Sequence, residues 1–232
     1  MKKNFFLSAA FLAFTLGLFA QQPSGESITK RFSLQLNANQ DFWQGVPDSI
    51  DNRFVNQGID VYGIYNFPMD KKGHLFFFAG GGIGAHNFYH NSLMELNDDG
   101  VTVLRDFPTT TESSGAKTDT KTSKFAITYF DIPFGFMYKT TNKFHATLGF
   151  KVGWNINDHW KYKGNYFEGN NDAEKIKWLG VSNIQKMHYG PYVTFGYKWI
   201  GVSAFYQISS IFTDELGPNI HPISVGLTFK PF

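Results

Sequence analysis

Alternation of apolar and polar side chains at period two, recurring in eight separate segments, is the feature that most narrows what this chain can become. A strand sends successive side chains to opposite faces, so each segment carries one apolar and one polar face. The clearest runs from Phe32 to Asn39, with Phe32, Leu34, Leu36 and Ala38 opposed to Ser33, Gln35, Asn37 and Asn39. Ile59–Phe67 opposes Ile59, Val61 and Tyr65 to Asp60, Tyr62 and Asn66. Phe125–Lys139 sets Phe130, Ile132, Phe134 and Phe136 against Asp131, Pro133 and Gly135. Phe144–Asn155 sets Phe144, Leu148, Phe150 and Trp154 against His145, Thr147 and Lys151. Tyr189–Trp199, Val202–Phe212 and Ile223–Phe229 follow the same rule. In Leu75–Phe88 the runs Phe76-Phe77-Phe78 and Gly80-Gly81-Gly82 blur the phase, and its faces stay unassigned.

The connections take turns in length. Pro68–His74, Thr140–Lys143 and Ile200–Gly201 are short, whereas Gln44–Val55, Tyr89–Thr122, Asn157–Lys186 and Thr213–Pro222 are long. Short turns at one end and long loops at the other describe an outer-membrane barrel, with the short turns periplasmic. The expected fold is therefore all-β: an eight-stranded antiparallel transmembrane β-barrel with up-and-down connections. A barrel of that size is narrow enough for side chains to fill, so the polar face packs inside. The apolar face is wide and aromatic-rich, and no amphipathic helix is left over to cover it. In water it would be a patch far larger than soluble monomers tolerate, and lipid is the natural cover. The competing all-β reading is a soluble sandwich or lipocalin-like carrier with its apolar faces inward. Aromatic side chains at the strand ends favour the membrane: Tyr138, Tyr197 and Trp199 beside short turns, and Trp43 and Trp154 at the opposite ends, read as two interfacial girdles.

The N-terminus fits export. Lys2 and Lys3 precede a nearly unbroken apolar stretch, Phe5–Phe19, and Ala20 suits the position before a signal-peptidase cut. The run is shorter than the stretch a membrane-spanning helix needs. Residues 1–20 are thus expected to be a cleaved signal peptide, 21–30 a short periplasmic segment and 31–232 the barrel. Residues 1–20 hold two lysines and no acid, so their removal takes the formal net charge from +2 to zero. With no basic excess and an export signal, nucleic acid is excluded as a partner. The chain has no Cys, which removes disulfides, thiolate zinc sites and thiol catalysis.

Tyr129-Phe130-Asp131-Ile132-Pro133-Phe134-Gly135-Phe136-Met137-Tyr138-Lys139, a short polar turn, and then Gly149-Phe150-Lys151-Val152-Gly153 resemble the central signature of PorT-like outer-membrane β-barrel proteins of Gram-negative cells. The resemblance extends over residues 31–232 and implies the fold and the outer-membrane location, but no activity. The terminal Phe232 is similar to the aromatic end by which barrel-assembly machinery recognises its clients, although Pro231 puts it out of phase with Phe229.

Hairpin geometry brings polar groups together. If Lys139 pairs with Lys143, Asp131 and Lys151 stand directly opposite on the polar face; the next register that keeps both faces makes them diagonal neighbours. An ion pair closing the lumen is expected, with Asp60, His145, Lys198 and Lys230 as further members, because an enclosed lone charge is costly. His90-Asn91-Ser92 near Glu95 offers nucleophile, base and acid types without a specific motif. Asn97-Asp98-Asp99-Gly100 hints at calcium ligands but lacks the closing bidentate Glu, and reads as the turn of an outward hairpin. No cofactor, metal or catalytic residue is expected. The expected role is structural or surface-binding through the long loops, with outer-membrane lipid, the assembly machinery and an extracellular or periplasmic protein as partners. A narrow pore and a lipid-modifying enzyme are the alternatives.

Overall fold

Each alternating segment forms a strand, and the strands close on themselves. The computed structural model describes residues 31–47, 50, 54–110, 117–165 and 174–231. The expected signal at 1–20, the segment 21–30 and the terminal Phe232 lie outside the described residues; the barrel's first ladder begins at Phe32. Among the described residues eleven strands occur, in the order β1 (Phe32–Gln44), β2 (Gln57–Pro68), β3 (Leu75–His90), β4 (Ser92–Leu96), β5 (Thr102–Asp106), β6 (Thr120–Lys139), β7 (Phe144–Gly164), β8 (Glu174–Leu179), β9 (Met187–Tyr197), β10 (Ile200–Tyr206) and β11 (His221–Phe229). Eight of them make the ring β1-β2-β3-β6-β7-β9-β10-β11, and β1 pairs with β11 to close it. All ladders are antiparallel. The β4–β5 hairpin and β8 are additions within the long connections.

The faces follow the alternation. Leu36, Ile59, Val61, Phe130, Phe134, Phe136, Leu148, Phe195 and Leu227 are exposed on the outside, while Gln35, Asn37, Asp60, Asp131, Lys151 and Thr194 are buried in the lumen. β3, whose sequence blurs, is phased by its partners: Gly82 pairs with Asp131, so the even positions point inward and Ile83 points out. Two aromatic layers interrupt the polar lumen. Tyr62, Ile64, Phe78, Tyr192 and Phe205 pack together toward the short turns. Trp43, Phe88, Phe125, Ile127, Tyr129, Trp160 and Tyr162 form a larger core toward the long loops, joined by Leu93, Met94 and Leu104 of the added hairpin. Trp43 is therefore a core residue, 8% exposed, and not part of an outer girdle. The cause is its position in β1, which continues past Asn39 and carries Trp43 inward into contact with Phe88, ring centroids 4.8 Å apart.

Two further expectations are corrected. Val202–Phe212 is not one strand. β10 stops at Tyr206, after which Ile211 and Phe212 are both buried, a pair that alternation forbids. The register at the β6–β7 turn is also the second of the two considered: Lys139 pairs with His145, and Asp131 faces Gly153. The turn explains this. Lys143 N–H bonds Thr140 C=O (3.0 Å), Thr140 N–H bonds Phe144 C=O (2.8 Å), and Lys143 takes a φ of 68°, so the whole Thr140–Lys143 unit lies outside the ladder. At the third short turn, β9 and β10 are joined by Lys198 and Trp199 alone, with Lys198 at a φ of 54°.

β6 and β7 run for 20 and 21 residues, about twice the 9–11 that a tilted strand needs to cross a bilayer. The exposed apolar band on β7 ends at Trp154 and Ile156. Beyond that level β6 and β7 project outward, with β3 still paired to β6 as far as Ser123 and β8 adding a strand to β7 along His159–Gly164.

Candidate functional site

Midway along the lumen, charged side chains form a connected cluster. Asp131 of β6 is fully buried, and its carboxylate meets three groups from three other strands. Tyr62 of β2 donates its hydroxyl to Oδ2 at 2.7 Å, His188 of β9 approaches Oδ1 through Nε2 at 2.6 Å, and Lys151 Nζ of β7 lies 3.5 Å from Oδ2. The expected Asp131–Lys151 pair thus forms as diagonal neighbours, and Lys151 also donates to the Tyr62 hydroxyl (3.3 Å) and sits 3.9 Å from the Phe205 ring centroid. Gly153 lies between Asp131 and His188 in the ladder. A Cβ there would strike both side chains, so the Asp131–His188 contact crosses β7 only because that position has none.

A second carboxylate group adjoins the first. Asp60 accepts from Asn37 (3.0 Å) and Asn39 (2.8 Å), and His86 bridges Asp60 Oδ1 (3.5 Å) and Asp41 Oδ2 (2.8 Å). Gly84 separates this group from Asp131; a Cβ there would lie 2.9 Å from an oxygen of each of Asp60 and Asp131. Three carboxylates face one ammonium and two imidazoles, so the cluster's formal charge runs from −2 with neutral imidazoles to zero with both protonated. The ring of Tyr129 stacks on His188, centroids 3.7 Å apart, and lids the cluster on the long-loop side. Cavities of about 10 Å³ lie on either side, each with room for about one water.

Asp60, Asp131 and Lys151 therefore sit together, while three other expected members do not join them; Lys230 follows the end of β11, where its backbone N–H bonds Trp199 C=O (2.7 Å). His145 is buried in the lumen near the short turns, where neither ring nitrogen has a hydrogen-bond partner among the described residues. Lys198 is exposed in its turn, with Nζ 5.2 Å from the Tyr197 ring centroid. It is excluded from the lumen because the β9 ladder ends at Tyr197, one residue before it. Asp41, His86, Tyr62 and His188 complete the cluster; Tyr62 and His188 fall on the polar faces of their segments in the sequence. Asp41 continues the polar series Gln35, Asn37, Asn39 by one further step, and that signal was available. His86 lies in the strand whose phase the glycines obscure.

On the outer surface Tyr138, Trp154, Tyr197 and Trp199 are all exposed; Tyr138 and Tyr197 sit at the ends of β6 and β9 and Trp199 in the turn that follows β9, but Trp154 lies midway along β7. The His90–Ser92 pair forms as well, Ser92 Oγ lying 2.7 Å from His90 Nδ1, with Ser123 Oγ at 3.4 Å. Both residues are buried beneath Trp43, and His90 Nε2 meets no partner among the described residues. Glu95 turns away to Arg105, 3.3 Å distant. The orienting acid of a catalytic triad is thus missing from this pair. Asn97 Oδ1 accepts from Asp99 N–H (3.1 Å) and Val101 N–H (2.8 Å), so it closes the β4–β5 turn instead of facing a cation.

At the outward end, Met94, Leu96, Trp160, Trp178, Leu179 and Val181 line an open cleft of about 220 Å³. Trp160 and Trp178 stack across β7 and β8 with centroids 4.4 Å apart and planes at 14°.

Solved structures similar to this chain include Ail, the attachment invasion locus protein of Yersinia pestis, at 12% identity and a TM-score of 0.38, covering 86% of this chain and 97% of that one. Ail in complex with the heparin analogue sucrose octasulfate matches at 11% identity and 0.35, over 86% and 97%. A triple mutant of the Rhodopseudomonas blastica porin matches at 10% and 0.22, over 86% and 98%. No curated protein sequence matches the chain. The family model described as the outer membrane protein beta-barrel domain matches residues 19–214, and the chain belongs to that family: it is an outer-membrane β-barrel protein.

Proposed function

We propose that this protein is a sealed barrel that anchors an ordered platform on the outward side of the outer membrane and acts by binding there. One contrast carries the reading. The lumen is closed by a paired charge cluster between two aromatic layers, whereas the outward end spends its long connections on a folded structure with its own core. A pore needs a continuous wet path, and the cavities beside the cluster hold about one water each. A lipid-modifying enzyme needs an acid on its histidine, and His90 lacks one among the described residues. The cleft around Trp160 and Trp178 supports a protein partner that inserts an apolar side chain, since aromatic-walled pockets of this kind are where binding energy concentrates. The segments Tyr129–Lys139 and Gly149–Gly153 support kinship with the PorT-like proteins, and Lys2-Lys3 with Phe5–Phe19 and Ala20 support a cleaved export signal. The exposed Tyr138, Trp154, Tyr197 and Trp199 suit the two membrane boundaries.

The test is conductance. Inserted into planar bilayers, the purified barrel should give no channel steps at neutral pH. Stable steps in most insertions would instead support the narrow-pore reading.

A further inference from the structure

The outward extension carries an unusual arrangement of charge on its outer face. Lys124 of β6 pairs in register with Lys161 of β7, and Lys161 pairs with Lys177 of β8. One step further out, Lys163 pairs with Lys175. Their chain neighbours Phe125, Trp160, Tyr162 and Trp178 pack into the core, so alternation turns all five lysines outward. Neighbouring strands lie about 4.8 Å apart, which places three ammonium groups in a row about 10 Å wide.

Like charges directly opposite one another destabilise a sheet. Among the residues whose side chains are described, no carboxylate lies within ion-pair distance of any of the five. Asp158, three residues before Lys161, is already committed: it accepts from Asn155 (2.7 Å) and from the Val181 N–H (2.5 Å). Lys124 is further fixed by a hydrogen bond to Asn87 Oδ1 (2.8 Å) and lies 5.8 Å from the Tyr89 ring centroid. Burial and then Lys161 and Lys177 push the Lys124 ammonium below its ordinary value, and burial followed by the same lysines pushes His159 down. Both groups lie outward of the membrane-crossing parts of β6 and β7, and both register a concentrated positive field.

The position of the row says what could answer that field. Leu179, 70% exposed, and Ile156, 55% exposed, are the last apolar side chains on this face. Lys177 stands two residues beyond Leu179, about 7 Å along the strand. That is the level at which acyl chains give way to headgroups. We propose that Lys124, Lys161, Lys163, Lys175 and Lys177 bind the phosphate groups of the glycolipid that forms the outer leaflet. Compact ammonium groups in two rows suit a headgroup bearing more than one phosphate, and clusters of lysine beside an apolar span attract anionic lipid. The inference rests on outer-membrane placement and not on the platform reading above; a barrel that conducts would leave it intact.

The experiment uses the folded full-length barrel in phosphatidylcholine vesicles, alone or with bis-phosphorylated lipid A as a minor component, and reads the unfolding midpoint and the lipid A affinity. Lipid A should raise the midpoint, less so at high salt. Lipid A stripped of its phosphates should not. In K124Q/K161Q/K177Q the affinity should fall roughly a hundredfold and the midpoint shift should vanish. In phosphatidylcholine alone that variant should be at least as stable as the native protein, because repulsion has been removed. K163Q/K175Q, at the two outermost exposed positions, provides an independent and milder loss. The proposal is overturned if the variants keep the native response, if phosphate-free lipid A gives the same shift, or if soluble heparin shifts the midpoint where lipid A does not.

Discussion

At the scale of the residue, Asp131 has the most to lose. Its carboxylate neutralises Lys151, which is itself 2% exposed, and it anchors Tyr62 and His188. Removing one partner of a buried pair strands the other and costs about 3–5 kcal/mol. Asp131→Ala should destabilise the barrel by that amount in urea unfolding from vesicles, and pairing it with Lys151→Met should restore much of the loss. If Asp131→Asn instead left stability unchanged and opened a conductance, the cluster would be a gate and not a structural seal. Asp70, in the exposed β2–β3 turn, behaves differently. Its Oδ1 accepts from the backbone N–H groups of Leu75 and His74, both at 2.8 Å, and these bonds hold the carboxyl below its ordinary value. A depressed carboxyl stabilises the folded turn above its unfolded pKa, about 3.9, and loses that contribution as pH falls through the lower folded value. The protection of the His74 and Leu75 amides, taken relative to their intrinsic exchange rates at each pH, should therefore fall at acid pH, and should lose this pH dependence in Asp70→Asn.

At the scale of the element, what could be read in advance depended on which neighbour sets a side chain's surroundings. Phe130 to Tyr138 and Phe144 to Trp154 declare their faces, because each strand has lipid on one side and lumen on the other. β3 does not, because Gly80, Gly82 and Gly84 have no side chain to declare; their role appears only when Tyr62, Asp60 and Asp131 arrive from other strands to fill that space. The Lys139–His145 register turned on whether Lys143 adopts a positive φ, and no alternation rule reports that. β8 was invisible for a related reason: Lys175-Ile176-Lys177-Trp178 alternates, but only six residues long and within a connection of mixed composition. Its inward side chain, Trp178, covers Trp160. Trp178→Ala should loosen the extension without opening the barrel. Limited proteolysis should cut between Gly164 and Val181 faster than in the native protein, while the heat-shift of the folded band on gels stays unchanged.

At the scale of the whole molecule, the two faces of the sheet are matched to opposite surroundings. Phe134, Phe136, Leu148, Phe195 and Leu227 would form a large apolar patch in water, and the Asp131 cluster would be intolerable in lipid. Closure by β1 and β11 leaves the ring without a free edge at membrane depth, which is what allows strands to cross a bilayer. The same matching fails deliberately above Ile156, where the outer face turns from apolar to lysine-rich and the inner face from charged to aromatic.

The five tryptophans make this arrangement directly measurable. Trp154 and Trp199 are 40% and 49% exposed on the outer face, and Trp43 and Trp160 are 8% and 5% exposed in the interior core. Single-tryptophan variants, with the others replaced by Phe, can be folded into vesicles of brominated phosphatidylcholine and their fluorescence compared with that in the unbrominated lipid. Strong quenching of Trp154 and Trp199 with little quenching of Trp43 and Trp160 is the predicted result. Equal quenching of all four, or quenching of the interior pair alone, would contradict it.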